Sequence, residues 1–168
     1  HIAIKTGIIT ISDFRQKHCA SGGEGAPLAV YGDFLIFSKK NQDRILLNMG
    51  GISNYTFLSG DLDPTKVFAT DTGPGNTIMD AYVKKHFDLE FDKDAAIAST
   101  GEVSQNLLAA LKDHPFFKGK LPKTTGPELF NLEYLAESQT KSKTENLNHA
   151  HVLATLCRFT AETKSATL

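Results

Sequence analysis

Residues 71–76, with the sequence Asp-Thr-Gly-Pro-Gly-Asn, constrain the fold of this chain more than any other segment. They follow residues 66–71, which are typical of a β-strand, and they precede residues 77–87, where apolar side chains recur at helical spacing. A strand, a Gly-Pro-Gly turn and a helix in direct succession predict an α/β layer. Asp71 would then lie at the carboxyl end of a strand, beside the positive end of a helix dipole, where open α/β sheets bind ligands.

Asp71 has two interpretations. An aspartate before a glycine turn often caps the turn or the following helix. At the end of a strand it can instead serve as a general base. Asn76, directly before the helical pattern, is the better N-cap candidate, so Asp71 is not needed as a cap. The capping and general-base interpretations of Asp71 are then about equally supported.

A second glycine turn lies between residues 44–49, which predict a buried strand, and residues 52–58, which predict the returning strand. Gly50 and Gly51 carry no Cβ, so their backbone N–H groups can approach an anion closely, and Asn48 adds an amide donor. A glycine pair is also common hairpin chemistry. Taken alone, the plain hairpin turn is the favoured interpretation.

The rest of the chain predicts a short strand, several connections and a helical second half. The expected elements are a strand at residues 7–12, a loop at 13–28, a strand or short helix at 30–37, helical segments at 94–100 and 101–113, a loop at 118–127, a short helix at 129–137, a polar connector at 138–148 and a helix at 150–168.

Composition excludes several classes of function. The 168 residues suffice for one domain or for a piece of a two-domain protein. A formal net charge of −1 gives no electrostatic reason to expect nucleic acid or an anionic membrane as partner. No apolar run approaches the ~20 residues that span a bilayer, and no signal peptide is visible. Cys19 and Cys157 are too isolated for a disulfide framework or a zinc site, which favours the cytoplasm.

Four other polar residues could bind a ligand. Asp13 and Arg15 could clamp a polar substrate from the loop that follows the first strand, although a solvated surface loop explains them as well. Glu128 and Asn131 lie three residues apart on the predicted short helix and could line a pocket, but helix capping by Thr125 explains the same spacing.

The remaining reactive side chains predict no further site. His18 and Cys19 are adjacent and would point to opposite faces of an extended segment. His149 and His151 have no third ligand that would complete a metal site. Cys157 is expected to be a small buried hydrophobe.

Taken together, these motifs resemble the anhydro-N-acetylmuramic acid kinases, a bacterial family of the actin/hexokinase/Hsp70 ATPase superfamily. The resemblance spans essentially the whole chain, with its motifs in the order of the family. The motifs are residues 13–15 with 22–28, residues 48–54, residues 71–76 with 79–81, residues 91–95 and residues 125–131.

The resemblance implies a ribonuclease-H-like (actin-like ATPase) α/β fold of two domains with the active site between them. Residues 1–30 would hold the end of the first actin-like domain and the interdomain loop, and residues 31–168 part of the second, with family-specific helices. One ATP-binding loop would precede His1, and the adenosine segment would follow Leu168. We therefore expect this chain to be a central fragment that binds ATP poorly and turns over nothing alone.

The resemblance also implies a reaction. Such kinases activate a water that opens the 1,6-anhydro bridge of 1,6-anhydro-N-acetylmuramic acid, while O6 takes the γ-phosphoryl group of ATP with Mg²⁺. The product is N-acetylmuramic acid 6-phosphate, an intermediate of cell-wall recycling. The implied roles are catalytic base for Asp71, nucleotide phosphate binding for Asn48, Gly50 and Gly51, and substrate binding for Asp13, Arg15, Gly75, Asn76, Glu128 and Asn131.

One position departs from the family, because His18 stands where an acidic residue is usual. Two alternatives stay open: another sugar or acetate kinase of the same superfamily, and a truncated non-catalytic remnant that binds a sugar or a partner. The expected partners are the anhydro-sugar and ATP, in a cytoplasmic protein, and a homodimer is compatible with the resemblance.

Overall fold

The computed structural model describes residues 1–23, 25–26 and 28–165, so Glu24 and Pro27 of the glycine-rich motif, and the end of the predicted last helix, lie outside the described residues. Within these ranges the chain forms three strands and eight α-helices. They are α1 (Ile2–Thr6), α2 (Phe14–Ala20), α3 (Val30–Phe37), β1 (Arg44–Met49), β2 (Ile52–Leu58), β3 (Phe68–Pro74), α4 (Thr77–Phe87), α5 (Gln105–Lys112), α6 (Pro115–Lys118), α7 (Leu132–Ser142) and α8 (His149–Ser165).

The three strands form an antiparallel sheet in the order β1-β2-β3. Gly50 and Gly51, which we call the hairpin turn, connect β1 to β2 as the sequence predicts. The register between β2 and β3 shifts at Ser53 and Asn54, so that Asn54 lies opposite Asp71. With the helices that follow, the chain is a mixed α/β structure with a small sheet.

The strand predicted at residues 44–49 is present, but the prediction that it is buried is wrong. Ile45, Leu47 and Met49 of β1 are 44%, 43% and 65% exposed. The reason is that the main helix contacts of the described sheet are made with β2 and β3, and β1 is the edge strand that they leave open. The apolar composition of residues 44–49 could not show which strands the helices cover.

The strand predicted at residues 7–12 is also wrong. This segment has no regular secondary structure, and Ile8, Ile9 and Ile11 are largely exposed. β-branched residues favour a strand only where a neighbouring strand supplies hydrogen bonds and packing, and no described strand pairs with this segment. A further difference is α2, which occupies part of the predicted loop. Residues 30–37, for which the sequence left a strand and a short helix open, form the helix α3.

The helical second half differs from the prediction mainly at helix ends. Residues 94–104 contain two short 3₁₀ turns instead of a continuous helix, and α5 begins after Ser104, whose hydroxyl accepts a hydrogen bond from the Leu107 N–H. The helix predicted at 129–137 begins at Leu132 and extends to Ser142, into the predicted connector. The Asn131 side chain caps it by accepting from the N–H groups of Glu133 (2.9 Å) and Tyr134 (3.1 Å).

The hydrophobic core lies among the helices and against one side of β3. Aromatic rings form its centre: Phe130 contacts Phe116, Phe117 and Tyr134, with ring centroids 5.2–5.8 Å apart. The Tyr134 hydroxyl donates to a backbone carbonyl of α5, and burial, with the charge of Asp113, raises the pKa of Tyr134. None of the described helices is both long and apolar enough to cross a lipid bilayer.

Backbone hydrogen bonds join the hairpin turn to the start of α4. The N–H groups of Gly75 and Thr77 donate to the Gly51 carbonyl at 2.8 and 3.2 Å, and the Asn76 N–H donates to the Gly50 carbonyl at 3.1 Å. This approach is so close that a Cβ on Gly75 would lie 1.9 Å from the Gly50 carbonyl oxygen. Gly75 is therefore required by packing.

We expect Gly75→Ala in the full-length protein to lower the free energy of unfolding by about 3 kcal/mol, because the new methyl group overlaps a backbone carbonyl. Gly32→Ala is the matched control, since a Cβ at Gly32 of α3 meets no atom within 4 Å. That control should be neutral or stabilising by about 0.5–1 kcal/mol. Urea unfolding measures both, and equal stability of the two variants would contradict the packing described for Gly75.

A second substitution pair tests the cap of α7. Asn131→Ala should cost about 1 kcal/mol of stability because two N–H groups lose their acceptor, whereas Asn131→Ser keeps a capping oxygen and should cost only a few tenths. Urea midpoints of the full-length variants give the comparison. An equal loss in both would show that the cap is not what Asn131 contributes.

Candidate active site

Three polar side chains lie in a row across the sheet. Asn48 of β1 pairs with Asn54 of β2, and Asn54 pairs with Asp71 of β3. Residues directly opposite each other on antiparallel strands project from the same face. The sheet therefore presents two amides and one carboxylate side by side, which we call the polar row.

The polar row lines a cleft of about 270 Å³. This volume lies just below the range of about 300–1,000 Å³ that is typical of small-molecule sites. The loop before α3 forms one side of the cleft, and the loop between α6 and α7 forms another. The lining residues are Ala26, Leu28, Ala29, Asn48, Asn54, Ala69, Thr70, Asp71, Lys123 and Thr124.

Asp71 is half-buried and is held by the loop between α6 and α7. Its backbone N–H donates to the Lys123 carbonyl at 2.9 Å, and its Oδ2 accepts a hydrogen bond from the Thr125 N–H at 2.8 Å. The sequence predicted that a strand ends at Asp71. In the structure β3 continues beyond Asp71 to Pro74, so this prediction is wrong. The carboxylate thus lies within the sheet, with a backbone donor fixing one of its oxygens.

The hairpin turn lies at the end of the strands that carry the polar row. Its two carbonyls point to α4, where they accept the hydrogen bonds from residues 75–77. A Cβ on Gly50 would meet only the Ile52 carbonyl oxygen, at an ordinary contact distance of 3.8 Å. Packing within the described residues therefore does not require glycine at position 50, and the space beside its Cα is open.

Asp13 and Arg15 do not line the described cleft. Asp13 precedes α2 with a positive φ of 62° and makes no capping bond, and both residues are exposed. The Arg15 Nε donates to the Gly25 carbonyl at 3.1 Å. Arg15 therefore contacts the loop that contributes Ala26 and Leu28 to the lining of the cleft, but Arg15 does not line the cleft itself.

Gly75 and Asn76 bind the hairpin turn through their N–H groups and are not among the residues that line the cleft. The Gly75 carbonyl accepts from the Thr160 hydroxyl of α8 at 2.8 Å. Asn76 occupies the N-cap position of α4, as predicted, but its side chain makes no capping bond. Its backbone N–H donates to the Gly50 carbonyl of the hairpin turn. Asn76 instead lines a second cavity, of about 330 Å³, between α4 and α8.

This second cavity, which we call the α4/α8 cavity, also contains Met79, Asp80 and Cys157. Burial raises the pKa of Asp80. Cys157 is exposed, so its predicted role as a buried hydrophobe is wrong, and its Sγ lies 3.4 Å from the Met79 Sδ. The helical pattern placed Cys157 on α8 but did not show that the neighbouring 3₁₀ turns leave this part of the helix uncovered.

Glu128 and Asn131 precede α7 and are not on a helix, in contrast to the prediction. The Asn131 amide is engaged on both sides, because its Nδ2 donates to the Glu128 carbonyl at 3.0 Å while its Oδ1 caps α7. Thr125 does not cap the helix: its N–H binds Asp71, and its buried hydroxyl has no hydrogen-bond partner among the described residues.

Three residues of the site were not expected from the sequence: Asn54, Lys123 and Thr125. Asn54 had a usable signal, since strands joined at Gly50 and Gly51 place it opposite Asn48. Lys123 and Thr125 lie in a loop without periodicity, 53 and 54 residues from the β3 residues that they bind. Among the described residues, no group of three His, Cys, Asp or Glu side chains could hold a metal ion.

Comparison with known proteins assigns a family to this arrangement. The family model described as anhydro-N-acetylmuramic acid kinase matches residues 1–168. Proteins of that name from three organisms are similar: one from Pseudoalteromonas atlantica is 60% identical over 97% of this chain and 41% of its own length, one from Pasteurella multocida is 47% identical over 96% and 41%, and one from Caldanaerobacter subterraneus is 41% identical over 95% and 41%. The chain spans about two fifths of the length of the curated relatives that it matches, and it belongs to the anhydro-N-acetylmuramic acid kinase family.

Proposed function

We propose that the full-length protein is an ATP-dependent kinase that opens the 1,6-anhydro bond of 1,6-anhydro-N-acetylmuramic acid and phosphorylates O6, giving N-acetylmuramic acid 6-phosphate in bacterial cell-wall recycling. The name shared by its relatives supports the substrate and the phosphoryl transfer. The observation that carries the proposal is the position of Asp71 in the cleft, where it lies opposite Asn54 and accepts a hydrogen bond from the Thr125 N–H.

Asp71 would act as the general base. The hydrogen bond from Thr125 favours the ionised carboxylate and fixes its orientation, since a bond to a charged acceptor is stronger than one between neutral groups. A water within about 3 Å of this carboxylate could give up its proton as it attacks C1 of the sugar. The bond from C1 to the bridging oxygen breaks, and the freed O6 attacks the γ-phosphorus of ATP, whose bond to the β-phosphate oxygen breaks to release ADP, while the proton of the water stays on Asp71.

The phosphates of ATP would lie at the hairpin turn, near Asn48. The open space at Gly50 fits this role, because a backbone without a Cβ there lets an anion approach the N–H groups of the turn. The Asn48 side chain could donate a further hydrogen bond. Phosphoryl transfer depends mostly on such positioning and on charge neutralisation, which Mg²⁺ supplies when it arrives with the nucleotide.

The six proposed sugar-binding residues are supported unequally. Arg15 could act by holding the loop at the cleft through Gly25. Gly75 is fully used in packing the hairpin turn against α4, so its contribution to binding would be indirect. The Asn131 amide would have to give up a cap or a loop contact to bind a sugar. Roles for Asp13, Asn76 and Glu128 stay predictions.

The proposal also covers the domain arrangement of the full-length protein and its location in the cell. We propose that residues 31–168 form part of the second of two ribonuclease-H-like domains and that residues 1–30 belong to the first domain and the interdomain loop. The hairpin, the third strand and the helix that follows it support this arrangement. The proposed activity belongs to the longer protein, in the cytoplasm, and a homodimer stays a prediction.

We expect Asp71→Asn in the full-length protein to lower turnover of the anhydro-sugar at least about 100-fold, because the amide cannot take a proton from water. The dissociation constant for ATP should change less than about threefold, since Asp71 is not among the proposed phosphate-binding groups. Coupled detection of ADP measures the rate, and calorimetry measures ATP binding. Asp61→Asn is the matched control, because Asp61 is an exposed carboxylate outside the cleft.

Near-wild-type turnover by the Asp71→Asn variant would refute the assignment of the base. The substrate is tested separately with the wild-type enzyme. Phosphorylation of N-acetylmuramic acid but not of its 1,6-anhydro form would contradict the proposed opening of the anhydro bridge.

A further inference from the structure

The segment of residues 123–125 lies along the free edge of β3. The Lys123 carbonyl accepts hydrogen bonds from the Asp71 N–H (2.9 Å) and the Thr70 hydroxyl (3.2 Å), and the Lys123 N–H donates to the Thr70 hydroxyl at 2.9 Å. Two residues later, the Thr125 N–H reaches the Asp71 carboxylate. The position of this segment therefore decides where the donor to the proposed base lies.

The loop that contains this segment has little packing of its own. Residues 118–122 are exposed, and so is Thr124. A surface loop with so little buried area is expected to open locally at a low free-energy cost. Lys123 and Thr125 are the exceptions, because both are half-buried.

The Lys123 ammonium is fixed against α6. Its Nζ donates to the Phe116 carbonyl at 2.9 Å and lies 4.4 Å from the centroid of the Phe116 ring. Burial lowers the pKa of Lys123. Removing an ammonium from water is costly, and a carbonyl acceptor with an aromatic face offsets part of that cost.

Phe116 in turn belongs to the rigid part of the molecule. Its ring contacts the fully buried Phe130 at a centroid distance of 5.4 Å and the neighbouring Phe117 at 5.3 Å. Lys123 thus connects an exposed loop to the aromatic core at one end and, through the backbone of residues 123–125, to Asp71 at the other.

We propose that Lys123 is a positioning residue for the reaction: its ammonium holds residues 123–125 against β3 so that the Thr125 N–H orients the Asp71 carboxylate. The proposal rests on the proposed function, in which Asp71 is the base. A misplacement of about 1 Å at such a group can cost up to about 100-fold in rate, so a loop contact outside the cleft chemistry can still matter for turnover.

The test compares three variants of the full-length protein. Lys123→Met keeps the length of the side chain but removes the charge, and Lys123→Arg keeps a cation that can reach the Phe116 carbonyl and ring. Lys120→Met is the matched control, since Lys120 is an exposed lysine of the same loop. Steady-state kinetics with the anhydro-sugar gives kcat and KM, and hydrogen–deuterium exchange without substrate reports the protection of residues 119–126.

We expect Lys123→Met to lower kcat about tenfold, with KM for ATP unchanged within about twofold, and to speed amide exchange at Thr125 about tenfold. Lys123→Arg should recover most of both, and Lys120→Met should match the wild type. Urea unfolding verifies that the variants are folded. If Lys123→Met does not fold, Lys123→Gln replaces it with the same expectations.

Two results would overturn the proposal. One is unchanged exchange of residues 119–126 in Lys123→Met, whatever happens to kcat, because the lysine would then not hold the segment. The other is faster exchange with unchanged kcat, provided that Asp71→Asn is inactive. Exchange is measured without substrate, and an active Asp71→Asn variant would refute the proposed base instead, so the two failures are distinguishable.

Discussion

The hydrogen bonds between the hairpin turn and the start of α4 determine the geometry of the candidate site. They join the end of the β1–β2 hairpin to the connection that leaves β3, so the sheet cannot shift against α4 without breaking them. Gly75 permits this contact because any side chain there would overlap the Gly50 carbonyl. Strand pairing sets Asn48, Asn54 and Asp71 side by side, and the hydrogen bonds of the hairpin turn hold this sheet against α4.

The same hydrogen bonds change where an anion could bind. A helix N-terminus next to a glycine turn is usually a ready anion site, because its first N–H groups lack partners. In α4 the N–H groups of Asn76 and Thr77 already donate to the hairpin turn. These two N–H groups are therefore not available to an anion, and our proposal places the phosphate at Gly50 and the Asn48 amide instead. Under this proposal the glycine pair both makes the hairpin turn and lets a phosphate approach its backbone.

Local sequence patterns predicted the parts of the fold that depend on local interactions. α4 has the bounds expected from its periodicity, and the hairpin forms at Gly50 and Gly51. The errors arise where an outcome depends on distant partners. Residues 7–12 carry strand-forming side chains but have no described strand beside them, and the burial of β1 depends on what covers it. Asn131 rather than Thr125 caps α7, because the helix begins at Leu132 and not at the predicted residue 129.

The residues of the candidate site also divide into those that local sequence patterns indicate and those that only distant contacts bring to the site. Asp71 and Asn48 could be selected from their positions just before glycine-bearing turns. Lys123 and Thr125 instead reach the site from a loop 53 and 54 residues beyond the β3 residues that they bind. No periodicity or turn motif in that loop indicates such a contact. Because the proposed base takes its donor from this loop, and Lys123 ties the loop to the aromatic core, the orientation of Asp71 depends on how the helices pack as well as on the sheet.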